Sequence, residues 1–84
     1  MPEVSRFYGI VVHIFYSDHA PPHAKYAGGE ILVSIRDMAV IEGRLSPRAL
    51  GLVMEWAALH QAELLEAWNR AQRQESPGKI APLN

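Results

Sequence analysis

The sequence predicts an α+β domain in which a small three-stranded antiparallel sheet is followed by a C-terminal helical segment. Three observations carry this. Hydrophobic residues alternate with a period of two through Glu30 to Asp37, with Ile31, Val33 and Ile35 on one side and Leu32, Ser34 and Arg36 on the other. After Ser46-Pro47 the spacing becomes helical, and Leu50, Val53, Met54, Ala57, Leu64 and Trp68 recur along one stripe. The chain has 84 residues, 49% hydrophobic and 20% charged, which suits a single globular domain spanning 1–84, with 76–84 as a C-terminal tail.

The first strand is expected over Phe7 to Tyr16, where β-branched and aromatic residues fill both parities. Asp18 to His23 carries two prolines, which cannot donate to a sheet ladder, so the strand ends in a loop. Ala24 to Ala27 is the candidate beginning of the returning strand, and Gly28-Gly29 marks a tight turn or bulge within or before that strand. Glu30 to Asp37 is the second strand of the expected sheet, and Met38 to Leu45, with Val40 and Ile41, is the third. Such a sheet needs a cover. The cover starts at Ser46 as N-cap with Pro47 at the first helical position.

No proline interrupts the chain from there to about Gln74, and a straight helix over 47–74 would run roughly 42 Å at 1.5 Å per residue. A compact domain of this length has a radius of gyration of only about 12 Å. Either the helix kinks near His60-Gln61 into two, or its distal half meets another protein. Trp56 and Trp68 are twelve residues apart, about 120° out of line on an ideal helix, so a straight helix cannot turn both toward one sheet. Ser76-Pro77-Gly78 stops the helix, and Ile80 and Leu83 of the tail are candidates to dock on the body.

Composition narrows the function classes. With no cysteine there is no disulfide framework, thiol nucleophile or thiolate metal site. No apolar run approaches the ~18 residues of a membrane span, and no basic-then-apolar leader opens the sequence, so the expected location is cytoplasmic. A net charge of −1 offers no reason for strong nucleic-acid binding. The small core gains from oligomerisation or a partner.

The densest polar constellation is Asp18-His19-Ala20-Pro21-Pro22-His23, followed by Lys25 and Tyr26. Two imidazoles and a carboxylate can supply a general acid and base, so Asp18, His19, His23 and Lys25 are the catalytic candidates. The plainer alternative closes an Asx turn with Asp18 and leaves both imidazoles solvated. The set lacks the third and fourth ligands of a structural zinc site, and neither a metal nor a cofactor is expected. His13 fits a half-buried strand position. His60 suits packing or a local hydrogen bond, and with Trp56 and Trp68 it makes up the interaction candidates of the helical region.

Arg6-Phe7-Tyr8-Gly9-Ile10, the Asp18 to His23 motif, Glu42-Gly43-Arg44-Leu45, Arg48-Ala49-Leu50, Glu55-Trp56-Ala57, Leu59-His60, Glu63-Leu64-Leu65, Ala67-Trp68 and the Ile80 to Leu83 ending occur in a characteristic order. In this the chain resembles the bacterial family of small proteins numbered four-one-six-zero among the domains of unknown function. The resemblance implies a small α+β protein encoded beside another small protein in a toxin–antitoxin-like arrangement. The family's usual motif has Phe and a further His after the second motif His, whereas Ala24-Lys25 follow His23 here. A two-residue deletion accounts for this, keeps strand parity and weakens any three-histidine site. The expected function is a non-enzymatic interaction component of a toxin–antitoxin-like or regulatory module, binding a small protein encoded nearby or forming a homo-oligomer. The alternative is a small hydrolase or nuclease, metal-independent or metal-assisted, using the Asp18/His19/His23 loop with Lys25 steadying negative charge.

Overall fold

The computed structural model describes residues 3–14, 22–26 and 28–84. Among them, five strands precede two helices: β1 (Glu3–Phe7), β2 (Ile10–His13), β3 (His23–Tyr26), β4 (Gly29–Ser34), β5 (Ala39–Arg44), α1 (Pro47–Leu59) and α2 (Gln61–Gln72). The strands pair in sequence order, each antiparallel to the next. The α+β class and the strand-then-helix order hold, but the three-strand expectation is corrected to five.

Two features account for the extra strands. The apolar run after Phe7 is interrupted by a two-residue hairpin turn, in which Tyr8 and Gly9 both take positive φ (51° and 82°) and Phe7 faces Ile10. That backbone matches the twist of the flanking strands. His23–Tyr26 is not a lead-in to the next strand but a strand between β2 and β4, with Tyr26 facing Gly29 across the turn at Gly28.

Alternation buries Ile10 and Val12 of β2, Ala24 of β3, and Ile31 and Val33 of β4 on one face. The helices supply the other half of this core, chiefly through Val53 and Trp56 of α1 and Leu64, Ala67 and Ala71 of α2. The opposite face of the sheet carries the residues of the other parity.

The helical cover begins as the sequence indicates, with the Ser46 hydroxyl accepting from the Ala49 N–H at 3.3 Å and Pro47 in the first turn. It breaks at His60, whose N–H is shared by the carbonyls of Trp56 (3.1 Å) and Ala57 (3.2 Å) before α2 resumes. The Gln61 side-chain amide donates to the Ile35 carbonyl at 2.8 Å and ties the break to the β4–β5 turn. Bending in this way fits the helices into a molecule whose longest dimension is 33 Å. No helix of the described residues is long and apolar enough to cross a membrane.

The tail returns to the far edge of the sheet. Ile80 is buried and its N–H donates to the Val4 carbonyl at 2.8 Å, while the Lys79 ammonium donates to the Glu3 carbonyl at 2.7 Å. Leu83 packs partly buried against the core. The two edges therefore differ: β1 is covered by the tail, and all six residues of β5 are exposed.

Candidate functional site

The sheet face away from the helices holds a polar cluster built from β2, β3 and β4. His13 and His23 stand directly opposite each other across β2 and β3, and Lys25 faces Glu30 across β3 and β4. His23 Nδ1 lies 2.6 Å from Glu30 Oε2. An ionised carboxylate only accepts, so this contact places the proton on Nδ1. It also holds the Glu30 carboxyl below its ordinary range. His13 is half-buried and its Nδ1 has no hydrogen-bond partner among the described residues. Burial, and then the charge of Lys25, push its pKa down. The cluster therefore presents a neutral imidazole, an imidazole oriented by a carboxylate, and an ammonium, the chemical equipment of proton transfer beside a negative group.

Of the four catalytic candidates, His23 and Lys25 lie in this cluster. Asp18 and His19 lie outside the described residues. Sequence reasoning placed His13 on a strand but not beside His23, because the register of β2 against β3 cannot be read through the connection between them. Among the described residues no group of three His, Asp or Glu side chains is arranged to hold a metal ion.

A second surface lies between α2 and the β4–β5 end of the sheet. Ile35, Ile41, Leu65 and Trp68, with Pro22, Ser34 and Arg36, line an open groove of about 220 Å³. Ile41 is 59% exposed and Leu65 49% exposed, and Val40, which precedes Ile41 on β5, is 38% exposed. The β4–β5 register explains the exposure. Val33 pairs with Val40 and Leu32 with Glu42, so Ile41 is an extra residue in a bulge on an edge strand.

The three interaction candidates separate. Trp68 is half-buried and lines this groove. Trp56 is 1% exposed, stacks at 5.3 Å on Phe7 and donates its indole N–H to the Ala81 carbonyl at 2.8 Å. It is a core residue, which corrects its assignment to a partner surface. The break at His60 removes the premise of one straight helix, so both indoles reach the body. His60 holds Glu63 at 2.7 Å and packs against Trp56 at 5.5 Å, both local contacts within the helical layer. Ile41 and Leu65 were missed, although adjacent Val40-Ile41 and Leu64-Leu65 carry a signal. Neighbouring positions on a helix do not point the same way, so Leu65 is left for the surface where Leu64 is buried, while on the edge strand both Val40 and Ile41 are exposed.

No curated protein and no solved structure gives a significant match to the chain. The family model described as "Domain of unknown function (DUF4160)" matches residues 9–69, including the turn at Gly9, all of β2 to β5 and α1, and both indoles, so the chain belongs to that family.

Proposed function

We propose that the chain is a protein–protein interaction component, acting in a toxin–antitoxin-like or other regulatory module, and that it binds a small partner protein through the Ile35–Ile41–Leu65–Trp68 groove. The observation that carries this is the gathering of apolar surface. Of the six exposed large hydrophobic residues described, Ile41 and Leu65 line one groove together with Ile35 and Trp68, and a third, Val40, precedes Ile41 on β5. Concentrated apolar exposure with an aromatic floor is what an anchor side chain from a partner requires. The partner is the small protein encoded beside it, as the family resemblance implies. Calorimetric titration of that product into the chain tests the reading. Leu65→Lys, at an exposed helix position, is expected to weaken binding about tenfold or more while the thermal midpoint stays within a few degrees. Undiminished binding, or none by the wild type, counts against it.

The opposition of His13 to His23, with Glu30 and Lys25 alongside, favours a second reading as a small hydrolase or nuclease. Hydrolysis of a phosphodiester that is abolished in His23→Ala and persists in a chelator would support metal-independent chemistry on that face.

A further inference from the structure

The exposed edge of β5 carries information about its own pairing. An edge strand offers a row of unpaired N–H and C=O groups to any strand that can align with it. At the β1 edge the Glu3 and Val4 carbonyls are taken by Lys79 and Ile80 of the tail. At the other edge, β5 pairs with β4 on one side, and no hydrogen bond among the described residues caps its outer side.

Symmetry restricts how two copies of this edge can meet. In a two-fold antiparallel pair the axis passes between a residue and its own counterpart, so each register is named by the residue at the axis. With Glu42 at the axis two carboxylates face each other, and with Arg44 at the axis two guanidinium groups do. Either arrangement is destabilising. Registers centred on Val40 or Ile41 set Glu42 against Met38 or Val40 and leave the charge without a partner. Centring on Gly43 alone puts Glu42 opposite the partner's Arg44, and does so twice by symmetry. Gly43 also suits the axis. At φ +93° it has no side chain, and a Cβ there would press on the Glu30 carbonyl inside its own sheet. The same register sets exposed Ile41 opposite the partner's Leu45.

We propose that two copies of this chain associate by antiparallel β5 pairing centred on Gly43, fixed by reciprocal Glu42–Arg44 ion pairs. The Ile41 bulge and the alternating charges guard the edge against other registers, as edge strands require, while leaving this one complementary. The association goes beyond the partner binding proposed above, and its failure leaves that reading standing.

Sedimentation velocity on the full chain tests it. The wild type is expected to show a concentration-dependent dimer below about 0.5 mM. Glu42→Arg places four cations at the junction and Arg44→Glu four anions, so each variant alone is expected to dimerise about tenfold more weakly or not at all. Both positions are exposed, and far-UV circular dichroism verifies folding. Mixing the two variants restores the opposite-charge arrangement, and the mixture is expected to form a heterodimer at wild-type strength. A wild type that stays monomeric throughout, single variants that dimerise as well as the wild type, or a mixture of folded variants that remains monomeric would each overturn the proposal.

Discussion

Replacing Trp56 with alanine removes the side chain on which sheet, helix and tail converge. The indole is 1% exposed, packs on Phe7 at 5.3 Å and donates to the Ala81 carbonyl at 2.8 Å. Truncating a large buried aromatic side chain costs about 3–5 kcal/mol, because transfer free energy is lost and a cavity remains. Losing the indole N–H adds little, since Ala81 is exposed and its carbonyl can be hydrated. At about 0.05–0.15 kcal/mol per residue, the whole domain has roughly 4–13 kcal/mol of stability. Trp56→Ala should therefore sit at the margin of folding. Trp68→Ala, which truncates a half-buried ring at the groove, should cost only about 1–2 kcal/mol. Urea unfolding followed by far-UV circular dichroism measures both without relying on the indoles as reporters. A Trp56→Ala loss under about 1 kcal/mol, or a Trp68→Ala loss exceeding it, would refute the assignment of Trp56 to the core.

Three further outcomes follow from the fold. Gly43→Ala forces a Cβ onto the Glu30 carbonyl at a backbone angle that side chains rarely adopt, and is expected to cost about 2 kcal/mol or more, a fall of roughly 10 °C in thermal midpoint. Gly28→Ala, with open space around its Cβ, should cost less. Deleting residues 80–84 removes buried Ile80, its bond to Val4 and the acceptor for Trp56, and calorimetry should show a loss of about 2–3 kcal/mol. Stability should also fall on acidification. His13 has a lowered folded pKa, so below its ordinary value near 6.5 the unfolded chain binds the extra proton and is favoured. Glu30 is depressed in the fold by its bond to His23, so its contribution is present above the ordinary carboxylate pKa and is lost as pH falls through the folded value. Urea midpoints of His13→Gln against pH should lose the slope near pH 6 while keeping the acid limb, and an unchanged slope would contradict the burial of His13.

Much of this architecture is legible in the residues. Ile31 and Val33 declare the buried face of β4, which Ile35 continues into the following turn, and Ser46-Pro47 starts the cover. Of the two outcomes that the length of 47–74 leaves open, a kink or a distal half reaching a partner, the structure shows the break at His60. The missed hairpin is instructive. Tyr8 is not one of the usual small or polar turn residues, so Gly9 alone signalled the turn, and the strong apolar run around it suggested one long strand. Partners distant in sequence were not legible. Neither the Ala81 carbonyl that receives the Trp56 N–H nor the register that sets His13 against His23 has a local sequence signature. They are fixed by how the tail and β3 pack, and the two most informative positions, the buried indole and the histidine pair, were therefore placed only by the structure.

The claim that this chain works by holding a small partner in the α2–β5 groove is tested most directly by nuclear magnetic resonance. A ¹⁵N-labelled chain would be titrated with the product of the neighbouring small gene. The account predicts saturable shifts at the Trp68 indole and at the amides of Ile35, Ile41 and Leu65, with the Trp56 indole and the His13–His23 face unmoved. Shifts confined to His13, His23 and Lys25, or a spectrum unchanged at excess partner, would contradict it.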